Sequence, residues 1–119
     1  MGKIVTFRDL IVWQKSHQLT LEVYRTVKDF PRYEEFGLSS QMRRSASSVP
    51  ATIAEGFKRK SNKDSCHFYN IAASSLEELK YHLILSKDLQ YISEEQFDLL
   101  FNKAEEISRL LHSWKESQK

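Results

Sequence analysis

The chain has one cysteine, two prolines and three glycines in 119 residues, and each scarcity excludes something. Cys66 alone closes no internal disulfide, which suits a reducing compartment, and a lone cysteine on a helix reads as a small core residue before a ligand or nucleophile. So few glycines and prolines argue against a turn-rich β architecture and for a few long helices. Long apolar runs are missing too. Leu10 to Trp13 is the longest, far short of the roughly 20 residues that a membrane span needs. No apolar segment follows the N-terminus, so we expect no signal peptide, no membrane partner and a cytoplasmic protein. The opening Met1-Gly2-Lys3-Ile4-Val5-Thr6 matches the myristoylation pattern, which is short and has meaning only in a eukaryotic cell.

What is present is helical periodicity. The length suits one domain spanning residues 1–119. Its organising stretch is Leu38 to Lys60, where Leu38, Met42, Ala46, Val49, Ile53 and Phe57 recur at steps of three and four. Ser39 or Ser40 is placed to cap it. Pro50 lacks an N–H and crowds the carbonyl of Ala46, so a kink is expected, and tertiary contacts must hold a helix that also contains Gly56.

The first helix is read over about 7–30, ended by Pro31, and carries two apolar stripes on nearly opposite faces. Val12, Ser16, Leu19, Val23, Val27 and Phe30 form the core stripe. Leu10, Trp13, His17, Leu21 and Tyr24 form a second one, which a single bundle does not need; we read Trp13, His17, Leu21 and Tyr24 as an oligomer interface. The second helix covers about 39–60. A third, about 62–90, has its seam at Phe68, Ala72, Leu76, Leu79 and Leu83, with Ile71 and Leu85 beside it. The small residues Ala72 to Ser75 invite a close neighbour. The fourth, about 94–116, opens on the capping box Ser93 to Gln96 and interleaves Phe97, Ala104 and Leu111 with Leu100, Ile107 and Trp114. Short links between such helices give an all-α, antiparallel up-down-up-down four-helix bundle.

Catalytic and metal signatures are absent from this sequence. Asp64 and His67 have the spacing of one half of a di-iron motif, and no second copy exists. Glu78 and His82 are one turn apart, the spacing of a surface contact. There is no phosphate loop, Cys-x-x-Cys or nucleophile elbow. We therefore expect no enzyme, no cofactor and no metal. Charge is more telling. The net charge is +2, yet residues 1–63 hold 12 Lys/Arg against 6 Asp/Glu, and residues 64–119 hold 6 against 10. Arg43, Arg44, Lys58, Arg59, Lys60 and Lys63 are candidate nucleic-acid contacts: guanidinium groups pair with phosphate and lysines add diffuse charge. Glu55, the one acid among them, is expected to pair with an arginine. A patch this small binds weakly alone and usefully when repeated around a ring.

Ser40-Gln41-Met42-Arg43-Arg44 followed by Ser48-Val49-Pro50-Ala51-Thr52-Ile53-Ala54-Glu55-Gly56 resembles the bacterial four-helix bundle proteins encoded in intervening sequences of 23S rRNA genes. The resemblance extends to Phe7-Arg8-Asp9-Leu10, Val12-Trp13-Gln14-Lys15, Val23-Tyr24, Ile71-Ala72 and Ser75 to Leu79. The chain is also similar to the accessory variability determinant proteins of diversity-generating retroelements. The resemblance implies a homopentameric barrel that binds RNA or DNA, with Arg43, Arg44 and Arg59 as contacts. Three residues depart from the pattern: Thr52 replaces a usual Asn, and Ala73-Ser74 replace a common Arg-Gly pair, which shrinks the basic surface. The alternative is a scaffold for a partner protein, in which the arginines stabilise subunit contacts.

Overall fold

The computed structural model describes residues 2–119, so Met1 of the opening pattern lies outside it. Among the described residues there are four α-helices and no strand: α1 (Ile11–Val27), α2 (Leu38–Phe57), α3 (Asn62–Asp88) and α4 (Glu94–Ser117). The first is shorter than its periodicity suggests. Thr6 and Asp9 form a capping box around a 3-10 turn at Phe7–Asp9, and Leu10 is extended, so helical phase restarts at Ile11. Asp9 accepts the Val5 and Thr6 N–H groups at 2.9 Å, and these bonds hold its carboxyl below the ordinary carboxylate range.

One core runs through all four helices, built from Val12, Leu19 and Val23 of α1, Met42, Val49 and Ile53 of α2, Leu76, Leu79 and Leu83 of α3, and Leu100, Ile107 and Leu111 of α4. The α4 seam is as its heptads require. On α3 the aromatic core residue is Tyr69, not Phe68, which is only half-buried. Of the small cluster, Ala72 is buried, and Ser75 meets Ser48 of α2 at 2.9 Å, while Ala73 and Ser74 face outward.

Pro50 sits inside an unbroken α2. A proline there removes the N–H that would have bonded the Ala46 carbonyl, and Ala46 is buried. The orphaned oxygen is met from α1: the buried Thr20 hydroxyl lies 3.0 Å from it and 2.9 Å from the Ser16 carbonyl, sharing its proton between the two. Farther along α2, a Cβ on Gly56 would stand 2.7 Å from Tyr69 Cε1 and 3.1 Å from Phe68 Cβ. Glycine therefore lets α3 close in, and Ser65 seals the approach by donating to the Gly56 carbonyl at 2.7 Å.

The ends are stopped by specific bonds. Neither Ser39 nor Ser40 caps α2; Ser39 is a buried residue inside it, and the Glu34 carboxylate accepts the Leu38 N–H at 3.1 Å instead. Glu34 is steadied in turn by the Tyr91 hydroxyl (2.9 Å), which also meets Tyr33 (3.1 Å). At the end of α3, Gln90 takes the left-handed conformation (φ 64), while Gln90 N–H bonds Lys87 and Tyr91 N–H bonds Ser86, both at 2.9 Å. This is the helix stop that usually uses glycine.

Replacing Thr20 with Val keeps shape and β-branching but leaves the Ala46 carbonyl buried without a partner. The expected loss is about 1–3 kcal/mol in urea unfolding. Thr26→Val is the control, because that hydroxyl bonds only Glu22 of its own helix (2.8 Å); it should change stability by no more than about 0.5 kcal/mol.

Candidate nucleic-acid interface

The six basic residues do not form one patch. Arg43 and Arg44 lie near the start of α2, whereas Lys58, Arg59 and Lys60 lie past its end. The helix between Arg44 and Lys58 separates the groups by about 21 Å at 1.5 Å per residue. Arg43 is also committed: its guanidinium donates to the Glu35 carboxylate at 3.0 Å and to the Glu35 carbonyl at 3.3 Å. Arg44 is exposed. The expected Glu55 pairing is not formed among the described residues: Glu55 is exposed, and the acid beside the arginines comes from the loop before α2.

The second group does converge. Helix α2 ends at Phe57 because Gly56 weakens its last turn, and Ser61 starts α3 by accepting the Asp64 N–H at 3.1 Å. Four residues are left as a link, and Lys58, Arg59, Lys60 and the nearby Lys63 are all exposed, with no ion pair among the described residues. Arg59 is the one with a fixed place. Its guanidinium stands 4.2 Å over the Phe68 ring, an attraction that orients the charge without neutralising it. Lys115 of α4 reaches the same end, donating to Asn70 at 3.2 Å.

The α1 stripe divides as well. Leu10 is buried and Trp13 and His17 are half-buried, the rings of the latter two stacked at 5.1 Å with Phe7 edge-on to Trp13. Leu21 and Tyr24 remain exposed. Sequence reasoning passed over Phe36, the most exposed large apolar side chain among the described residues, which is 96% exposed on the loop that Glu34 and Arg43 tie down. An aromatic in a seven-residue connection was the available signal.

No group of three or more metal-ligating side chains occurs among the described residues. Cys66 is half-buried, its thiol 3.9 Å from the Lys115 carbonyl. The Glu78–His82 pair is not a simple surface contact. His82 is buried, with Nδ1 3.3 Å from Ser45 Oγ and Nε2 3.7 Å from Glu78. This row of serine, histidine and glutamate has the order of a hydrolytic triad but not its access: Ser45 is buried and bonded to the Met42 carbonyl at 3.3 Å. Ser45 lies inside α2, where backbone N–H groups bond the preceding turn of the same helix.

Three comparisons bear on this arrangement. The family model described as 23S rRNA-intervening sequence protein matches residues 8–113. A crystal structure from Bacteroides thetaiotaomicron, of a protein with unknown function from the S23 ribosomal protein family, is 30% identical with a TM-score of 0.80, covering 88% of this chain and 98% of that one. No curated protein matches.

Burial pushes the His82 imidazole below its ordinary 6.5, with Glu78 pulling weakly the other way. The folded state therefore favours neutral His82 relative to the unfolded chain. Its contribution to stability is fully present above about pH 6.5, the unfolded value, and is lost as pH falls from there through the lower pKa of the folded state. Unfolding midpoints taken from pH 8 to pH 5 should decline more steeply for the natural chain than for His82→Gln; equal slopes would contradict the assignment.

Proposed function

The chain belongs to the 23S rRNA-intervening sequence protein family, and on that premise we propose that it is a non-enzymatic, homo-oligomeric nucleic-acid-binding protein with RNA as its partner. The observation that carries this reading is the link at Lys58–Lys63: four exposed cations without acidic partners among the described residues, one held in place over an aromatic ring. Cations so placed displace condensed counterions from a phosphate backbone, an interaction that is sequence-independent and falls steeply with salt. Arg43 leaves the proposed contact set because Glu35 already holds it, and Arg44 stays at the other end as a separate contact.

Four charges on one chain bind a polyanion weakly. Assembly is therefore part of the proposal: several copies, a pentamer in the reading that the resemblance suggests, present the link repeatedly and gain by avidity. The bundle is taken as antiparallel and up-down-up-down. Residue pairings support this, since Gly56 meets Ser65, Ser48 meets Ser75 and Ser45 meets His82, one number falling as the other rises. A cytoplasmic location belongs to the same reading. No helix among the described residues is long and apolar enough to cross a membrane, and Cys66 is unpaired. A scaffold for a partner protein is the second reading, favoured by Phe36 and Tyr33 standing exposed on a tied loop.

The test replaces Lys58, Arg59, Lys60 and Lys63 together by alanine and follows binding of a labelled RNA by anisotropy across a salt series. We expect at least a tenfold loss at low salt and a slope of log K on log salt shallower by about 0.7–0.9 per lost contact. Arg43→Ala should bind within about twofold of the natural chain. Unchanged RNA affinity in the quadruple variant would sink the site, and no RNA binding by the natural chain at low salt would favour the scaffold.

A further inference from the structure

A ring of identical copies needs two different surfaces that fit each other, because a single self-complementary patch closes only a dimer. The second stripe of α1 supplies one surface, and the structure offers a matching one elsewhere. Helix α1 touches α2 and α4, α3 touches the same two, and α1 and α3 do not touch each other among the described residues. They occupy opposite corners of the bundle. Both nevertheless expose large apolar side chains: Ile11, Leu21 and Tyr24 on α1, and Ile71, Tyr81 and Ile84 on α3, where Tyr81 is 58% exposed.

The charges around these residues have opposite sign. On the outer side of α1, Arg25 and Lys28 are exposed and unpaired among the described residues, while Lys15 and Glu22 are turned toward α4 by bonds to Glu106 and Lys103. Asp29 follows in the turn beyond the helix. On the outer side of α3, Glu78 and Asp88 are exposed; Glu77 is bound by Lys80, and Lys63 lies at the N-terminal end of the helix, next to the link.

The two surfaces also stand at matched heights. Thr20 of α1 meets Ala46 of α2, and Ser45 and Ser48 flanking Ala46 meet His82 and Ser75 of α3. Thr20 is thus level with Leu79 and Lys80. Contacts through α4 agree, because Lys80 bonds Glu105 while Lys15 and Glu22 bond Glu106 and Lys103 on either side of it. On that alignment Ile11 is level with Ile71, Leu21 with Tyr81, Tyr24 with Ile84, and Lys28 with Asp88.

We propose that the outer face of α1 on one copy docks against the outer face of α3 on the next, Leu21 and Tyr24 packing on Tyr81 and Ile84 with Lys28 beside Asp88. This rests on the assembly reading above and names the surfaces that make it. With the bundle axis parallel to the axis of the ring, as the proposal has it, cyclic symmetry keeps neighbouring copies at the same height, so residues level within one chain are level across the contact. Half-buried Trp13 and His17 then lie behind the contact as support, not at its centre.

The test measures mass by light scattering at micromolar concentration, with helix content checked by circular dichroism. The natural chain should exceed its 14.0 kDa by a whole multiple. Leu21→Glu and Tyr81→Glu should each run as single chains with unchanged helicity. Mixing the two variants should give a 1:1 pair that grows no further, since each keeps one intact face. Lys28→Asp should weaken assembly, and Lys28→Asp with Asp88→Lys should restore it. A natural chain that assembles while Tyr81→Glu assembles equally well overturns these surfaces and leaves the assembly reading standing. A natural chain of 14.0 kDa overturns both.

Discussion

The fold depends on how one buried carbonyl is satisfied. Pro50 cannot donate to Ala46, and an unpaired carbonyl in the core would weaken the central helix where it is most enclosed. The chain resolves this across an interface, with Thr20 of α1 supplying the missing proton at 3.0 Å. The contact does more than repair a defect. A directional hydrogen bond between the helices fixes the rotation and height of α1 against α2, which apolar packing alone specifies loosely. Once Thr20 faces α2, the core stripe of α1 is set. Leu21 and Tyr24 fall off that stripe and are left exposed.

A second constraint acts at the other end of α2. Gly56 brings α3 close enough for Ser65 to bond its carbonyl, so α2 must stop almost at once and the chain must turn within four residues. Lys58, Arg59 and Lys60 therefore cannot extend the helix, as a straight reading of the basic run supposes. They are expelled into the link, where the negative end of the α2 dipole favours their charge. The glycine that looks like a flaw in the helix is what gathers the cations at the end of the bundle.

The periodic parts were legible. The heptads of α4, its Ser93 capping box and the core stripe of α1 are local patterns of 3.6-residue spacing, and they appear as the sequence requires. What failed was local geometry set by partners distant in sequence. Glu34 caps α2 in place of a serine because Tyr91, 57 residues away, holds its carboxylate. His82 is buried because Ser45, 37 residues away, receives it. Tyr69 displaces Phe68 from the seam because Gly56 leaves room for its ring. Grouping Arg43 and Arg44 with the Lys58 cluster as one patch followed charge alone and left out some 21 Å of helix between them.

That axial separation also keeps the two proposed roles apart. The residues proposed to join neighbouring copies lie on α1 and on the middle and far end of α3, whereas the basic link lies at the near end of α3, beyond Phe57. Assembly would consume none of the link's cations. In any cyclic arrangement every copy has the same orientation relative to the axis, so the links lie at one height around the ring and act on one partner. Avidity, not a dense local patch, would then set the strength of binding, because Ala73 and Ser74 contribute no charge and Glu35 withholds Arg43. A polyanion long enough to touch several links would be preferred over a short one with the same sequence.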